Sequence, residues 1–318
     1  MKDIYSQITE PVADDLTKVR LNFVDAIKSE HPQMKVIMEK LHSYGGKQMR
    51  PILTLLVAKL FGDIHEEHVS SAVIMELTHN ASLVHDDVID EAYLRRNQPT
   101  LNTLMGAKGA VLIGDFILSG AISYGIKTNN FRAIEVAAET FQKLVSGEIE
   151  QMYHSVTLDT NEDIYMDVIK QKTAHLLGAA AELGAPRDYS KRMFRFGELL
   201  GIAYQIQDDI LDYTAQESGK LNFNDIRERK ITLPLIYAIQ QFPERRKEMM
   251  DELEKAAYNE DSVTKIAQFV MQSNAMELAE AKSQVKLDLA MELLKDFGNT
   301  EIKNTLKLYA QYITKRIH

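Results

Sequence analysis

Two short acidic runs could do chemistry in this chain: Asp86-Asp87-Val88-Ile89-Asp90 and Asp208-Asp209-Ile210-Leu211-Asp212. Each interrupts apolar sequence whose spacing suits a helix. On an α-helix, positions i and i+4 lie one above the other and i+1 sits about 100° around, so each run projects a carboxylate cluster from one turn. Such a cluster repels itself unless a cation neutralises it. Mg²⁺ takes one or two carboxylates, several waters and the oxygens of a phosphate-bearing substrate, so the pattern points to Mg²⁺ held together with a diphosphate. A solvated acidic helix end is the alternative for either run alone; the repeated spacing favours the metal.

Basic and polar residues that would complete such a site lie elsewhere in the chain. Gly45-Gly46-Lys47-Gln48-Met49-Arg50-Pro51 sets two cations after a glycine pair, where a helix is expected to begin with Pro51 in its first turn. The pair Arg95-Arg96 follows the first acidic run; arginine's fork suits phosphate, although most such pairs are simply solvated. Lys172-Thr173-Ala174 lies within an apolar helical segment, Val168 to Ala181, where an inward lysine must meet an anion or snorkel to solvent. Taken alone, Gln205 reads equally as a satisfied buried amide and His79 as a core or surface histidine.

The elements that must position these groups are helices. Prolines occur only at 11, 32, 51, 99, 186, 234 and 243, and the stretches between them are rich in Ala, Leu, Ile, Met, Glu and Lys, with apolar residues every three or four positions. Glu66 to Asp90 and Arg195 to Leu211 read as mostly buried helices, each leading to an acidic run. Loops are expected at Arg95 to Thr100, Lys127 to Asn130, Gly184 to Asp188 and Thr214 to Asn224, with amphipathic helices beyond Phe242. The whole chain, 1–318, reads as one all-α domain, a bundle with both acidic runs directed into one cavity.

With 46 acidic and 37 basic side chains, a formal charge of −9 and no long Lys/Arg block, nucleic acid is not the expected partner. No cysteine is present, which excludes disulfides and thiolate-held metals. No stretch approaches 18 uncharged apolar residues and the N-terminus lacks a secretory pattern, so no membrane span and a cytoplasmic location are expected.

The segments GGKQMRP, HNASLVHDDVIDEAYLRRNQPTLN, GDFIL, SGEIEQ, KTAHL and YQIQDDILDYTAQESGKLNFNDIRERKITLP follow one another from about Gly45 to Pro234. In that order they resemble the trans-isoprenyl diphosphate synthases, the long-chain type similar to octaprenyl diphosphate synthases. The resemblance implies a single all-α bundle around a deep central cavity, the type I isoprenoid synthase fold, usually as a homodimer. It implies Mg²⁺-dependent, head-to-tail condensation of an allylic diphosphate with isopentenyl diphosphate. By the same resemblance Asp86, Asp87, Asp90, Asp208, Asp209 and Asp212 hold about three Mg²⁺ ions per site on the allylic diphosphate. Arg95, Lys172, Lys220 and Lys230 would grip that diphosphate, and Gly46, Lys47, Arg50, His79 and Arg96 would bind isopentenyl diphosphate. Thr173 and Gln205 would aim oxygens at the developing carbocation. Three departures stand out: Gln48 replaces a usual Arg, Arg229 a usual Gly before Lys230, and Tyr204 a usual Phe.

The growing product would run along the helix that ends in the first acidic run. Ser82 and Ala81, four and five residues before Asp86, are small where short-chain relatives carry aromatics. Thr78, Leu77 and Ile74 come next, and Phe141 or Leu144 would floor the tunnel. The expected product is an all-trans polyprenyl diphosphate of about C30 to C50. Alternatives are a short-chain farnesyl or geranylgeranyl synthase and the catalytic subunit of a heteromeric synthase. A class I terpene cyclase fits less well, because it has no use for an isopentenyl diphosphate site.

Overall fold

The computed structural model describes residues 3–30, 34, 37, 47–95, 98–158, 161–214, 216, 217, 220, 221 and 223–315, with the side chains of 216, 217, 220, 221 and 315 left aside. The described chain is all-α, as its periodicity predicts. Its only strands among the described residues form two minimal antiparallel hairpins, β1 (Leu94–Arg95) with β2 (Gln98–Pro99) and β3 (Gln216–Glu217) with β4 (Lys220–Leu221). The second falls within the loop expected at Thr214 to Asn224, and the first begins at Leu94, one residue before the loop expected at Arg95 to Thr100. Packing divides the chain into two compact units: Met1–Gln142, Leu176–Gly197 and Asp296–Tyr309 form the first, and Lys143–His175, Glu198–Lys295 and Ala310–His318 the second.

The first unit contains α1 (Ile4–Thr9), α2 (Ala13–Ala26), α3 (Met49–Phe61), α4 (Glu66–Ile89) and α5 (Leu101–Lys127). Helix α3 starts at Met49, so Pro51 sits in the first turn, where its missing N–H removes no intrahelical bond. The start of α4 is fixed by a reciprocal cap: the His65 backbone N–H donates to His68 Nδ1 at 3.0 Å, and Glu66 and Glu67 place negative charge against the positive helix end. Every residue from Val69 to Thr78 is buried. A helix buried all round is held by its neighbours rather than by one stripe, so its far end is a rigid mount for whatever it carries.

Helix α5 departs from expectation. Despite Lys108, Asp115 and Lys127, and an interruption at Gly106, it is long and apolar enough by length and composition to cross a membrane. Only 39% of its most apolar 18-residue window is buried. Leu112 and Ile126 are 68% and 55% exposed, so the helix presents a wide apolar face that the described residues leave uncovered.

The remaining helices are α6 (Phe131–Thr157), α7 (Glu162–Ile169), α8 (His175–Leu183), α9 (Ser190–Thr214), α10 (Asn224–Arg227), α11 (Leu233–Gln241), α12 (Arg246–Lys255), α13 (Glu260–Met271), α14 (Ala275–Glu292) and α15 (Thr300–Lys315). In the second unit Tyr165, Ile169 and Ala174 pack with Ile202, Ile206, Leu233, Ile236 and Ala279. The uninterrupted helix expected from Val168 to Ala181 is instead broken by a wide π-turn over Lys170–Ala174. Gly147 explains how the wide turn is accommodated: a β-carbon there would meet Gln171 Cβ and the Lys172 backbone nitrogen, both at 2.9 Å. The extra residue of a π-turn re-aims the side chains around it, here Lys172 and Thr173.

Candidate active site

In the first unit, α4 delivers the first acidic run at its C-terminal end. Asp86 is half-buried, Asp87 is buried and Asp90 is exposed at the helix cap. The β1 hairpin returns the chain so that Arg95 donates to Asp87 Oδ1 through Nε at 2.9 Å and approaches the same oxygen through Nη2 at 2.8 Å. Burial pushes the Asp87 carboxyl above its usual range, and the Arg95 charge partly offsets this. Two groups expected to hold opposite parts of a metal diphosphate therefore hold each other. A ligand carrying both charges can replace that pair without leaving either group uncompensated.

His85 packs against α5 just before the run. Its Nε2 lies 3.4 Å from both the Val111 carbonyl and Asp115 Oδ1, and its ring meets Phe141 edge-on at 6.3 Å. Gly114 makes the room, because a β-carbon there would lie 2.2 Å from His85 Nε2. The Gly-Asp pair of GDFIL thus acts as a socket for the residue preceding Asp86. Gly114→Ala is expected to cut turnover about tenfold or more by displacing this mount, measurable as initial rate beside an unchanged helical circular dichroism spectrum.

Upstream on α4, Ala81 is fully buried, as are Thr78, Leu77 and Ile74 at about 1% exposure or less; Ser82 is half-buried and donates to the His79 carbonyl at 2.9 Å. Lys47 and Arg50 flank the start of α3. Gln48 between them takes a left-handed conformation, φ 48°, and accepts a hydrogen bond from Arg20 Nε at 2.7 Å. That hydrogen bond brings a guanidinium from α2 beside the position where an Arg is usual. Gly46 and Arg96 lie outside the described residues, as does the Lys220 side chain.

In the second unit, the inward lysine meets its anion. Lys172 Nζ pairs with Glu148 Oε2 at 2.5 Å and donates to Gln151 Oε1 at 3.3 Å. Thr173 Oγ1 donates to Gln205 Oε1 at 2.8 Å, Gln205 Nε2 donates to Asp209 Oδ1 at 2.8 Å, and the Tyr165 hydroxyl donates to Asp209 Oδ2 at 2.6 Å. Asp212 caps α10, accepting from the backbone N–H groups of Asn224 at 2.9 Å and Asp225 at 3.1 Å. Asp208 is half-buried, one helical step from Asp209.

Burial dominates the electrostatics here. It pushes the Asp209 carboxyl up to about 6 despite hydrogen bonds from Tyr165 and Gln205, and it raises Asp212 as well. Asp225 is pushed well up by burial and then by the charges of Asp209 and Asp212, with Lys230 opposing. Lys230 also forms an ion pair with Glu228. Glu148, Tyr165 and Asp225 escape a reading of the sequence. Only Glu148 leaves a trace there, since an inward Lys172 demands a counter-ion.

Arg229, where a Gly is usual, adopts φ 56°. The left-handed region strains a residue with a β-carbon, so Arg229→Gly is expected to raise stability by about 1 kcal/mol, read as a higher denaturant midpoint.

Among the described residues no three His, Cys, Asp or Glu side chains converge as a ready metal cage. The donors are carboxylates on single helix turns, which suits Mg²⁺ whose remaining ligands are water and substrate phosphate rather than protein.

The sequence pattern of the polyprenyl synthetase family matches residues 31–270. The chain is 35% identical over 331 residues to heptaprenyl diphosphate synthase component 2 of Geobacillus stearothermophilus, covering 99% of each. A crystal structure of a decaprenyl diphosphate synthase from Rhodobacter capsulatus superposes with a TM-score of 0.91 at 33% identity, covering 99% of both chains. A polyprenyl synthase from Caulobacter crescentus CB15, complexed with calcium and isoprenyl diphosphate, also superposes at 0.91, with 28% identity and coverage of 99% and 98%.

Proposed function

This chain belongs to the polyprenyl synthetase family, and on that premise we propose that it is a long-chain trans-prenyltransferase, condensing an allylic diphosphate with successive isopentenyl diphosphates. The observation that carries the reading is the 99% overlap with relatives named for heptaprenyl and decaprenyl products, on a chain that keeps all six aspartates. The family pattern runs through segments of both compact units, which supports treating 1–318 as one polyprenyl synthetase domain.

Cleavage of the allylic carbon–oxygen bond leaves a delocalised carbocation and a pyrophosphate. When bound, Mg²⁺, about three ions per site, supplies neutralisation of that leaving group. Asp86, Asp90 and Asp208 would hold the metal, and Arg95, Lys172, Lys220 and Lys230 would bind diphosphate oxygens. Lys47, Arg50, His79, Gly46 and Arg96 hold isopentenyl diphosphate. Thr173 and Gln205 present oxygens to the cation, whose charge their fixed dipoles stabilise. Attack by the isopentenyl double bond joins the two fragments, and the proton lost goes to the departing pyrophosphate. Pyrophosphate release that requires isopentenyl diphosphate tests this reading; release from the allylic diphosphate alone, with a cyclic product, would indicate a cyclase.

The exposed apolar face of α5 supports a homodimer. Leu112→Glu is expected to weaken self-association about a hundredfold, seen as a shift from dimer to monomer mass by light scattering. The relative named as a component 2 favours a second reading, in which the same face docks a different subunit. Activity of the purified chain alone separates the two.

A further inference from the structure

Four side chains form a directional hydrogen-bond chain inside the second unit. Tyr165 on α7 and Gln205 on α9 each donate to one oxygen of Asp209, and Gln205 in turn accepts from Thr173 of the π-turn. A carboxylate only accepts, so the Gln205 amide must turn its NH₂ toward Asp209 and its carbonyl toward Thr173. The Thr173 hydroxyl hydrogen is then directed to Gln205. What Thr173 has left to offer is lone pairs, the negative end of its dipole. With the amide reversed, Gln205 would donate to Thr173, whose hydroxyl hydrogen would be free to turn toward the cation it is meant to stabilise. Asp209 and Tyr165 are only 3% and 7% exposed, so solvent does not scramble these bonds. The Tyr165 ring packs with Ile169, Ile206 and Ile236, and a Phe would fill the same space.

We propose that Tyr165 is a positioning residue for the condensation: through Asp209 it locks the Gln205 amide in one orientation and thereby keeps the Thr173 oxygen turned toward the allylic cation. The proposal rests on the prenyltransferase reading above. It also distinguishes Asp209 from Asp208, because both oxygens of Asp209 are held by neutral donors and its part is orientation rather than metal binding.

The test uses the purified full chain with farnesyl diphosphate, labelled isopentenyl diphosphate and Mg²⁺, comparing wild type with Tyr165→Phe, Asp209→Asn and Thr173→Val. Tyr237→Phe serves as a control that removes another partly buried hydroxyl beside the same cluster. Tyr165→Phe is expected to lower kcat about tenfold with KM for isopentenyl diphosphate unchanged, while a larger share of primer is captured by water and released as farnesol. Asp209→Asn, which leaves Gln205 two orientations, should show a comparable loss. Its Mn²⁺ binding with inorganic pyrophosphate, followed by electron paramagnetic resonance without turnover, should match wild type. Adding Tyr165→Phe to Thr173→Val should slow the enzyme by a smaller factor than it slows wild type, because only the Gln205 oxygen is then left to misorient, and Tyr237→Phe should leave kcat unchanged.

Wild-type kcat and farnesol release in both Tyr165→Phe and Asp209→Asn would overturn the proposal. So would multiplicative effects of Tyr165→Phe and Thr173→Val, or lost Mn²⁺ binding in Asp209→Asn. If Tyr165→Phe melts early, the near-isosteric Asp209→Asn decides. A wild-type chain that makes no prenylated product would overturn the prenyltransferase reading, and the lock with it; an active wild type beside an equally active Tyr165→Phe removes only the lock.

Discussion

Asp86→Ala and Asp208→Ala are each expected to lower turnover by about three orders of magnitude while the melting temperature stays close to wild type. Both residues are half-buried at the ends of long helices, and neither contributes an apolar contact to the core. Removing either takes one charge out of an acidic cluster and leaves the buried apolar residues of the helix that carries it in place. The reaction loses the means to neutralise a leaving pyrophosphate, and that stabilisation exists only as the bond breaks. Asp87→Ala is the instructive contrast. Asp87 is 6% exposed and holds Arg95 through two close contacts, so its loss strands a partly buried guanidinium and should lower melting temperature as well as rate. Rate and melting temperature measured on the same preparations distinguish the two kinds of damage.

Ala81→Phe is expected to shorten the product from about C30–C50 to about C15–C20, the second large effect. Ala81 is completely buried one turn before the first acidic run, and the next positions along that face, Thr78, Leu77 and Ile74, are buried too. Total burial has two meanings that the substitution separates. If Ala81 lines the path of the hydrocarbon, a phenyl ring enters space that product would occupy, and stability barely changes. If Ala81 is close-packed core, the ring overpacks it at about 1–3 kcal/mol and product length is unaltered. Chromatographic sizing of the products, beside a denaturation curve, reads both outcomes.

The residues that announce themselves in the sequence are those whose local pattern is costly without a purpose. Aspartates spaced along one helix turn and placed after an apolar run are such a pattern, and α4 runs from Glu66 to Ile89, one residue short of the expected end. An inward lysine is another: Lys172 sits in a helical stretch of apolar residues and does meet an anion. Which anion is not legible, because Glu148 is one of many glutamates and only the fold brings it to 2.5 Å. The π-turn at Lys170–Ala174 is equally hidden, since one extra residue in a turn leaves the apolar period unchanged over so short a span. Tyr165 looks like any aromatic on an apolar helix face. Its hydroxyl acquires meaning only beside Asp209, a residue that the sequence alone groups with the metal-binding aspartates. Gln48 and Arg229 stand out only as departures from a family pattern, and the backbone then shows what is unusual about both positions, a left-handed φ. The apolar breadth of α5 can be read in the sequence once one or two charges are tolerated, but which face stays uncovered requires the packed helices.

Incubating the purified chain alone with farnesyl diphosphate, labelled isopentenyl diphosphate and Mg²⁺, then sizing the labelled products, tests the central claim most directly. The expected result is a Mg²⁺-dependent ladder ending in an all-trans product of about C30 to C50. Labelled product ending at C15 or C20 would contradict the long-chain assignment, and no incorporation by the chain alone or with a partner subunit would contradict the prenyltransferase itself.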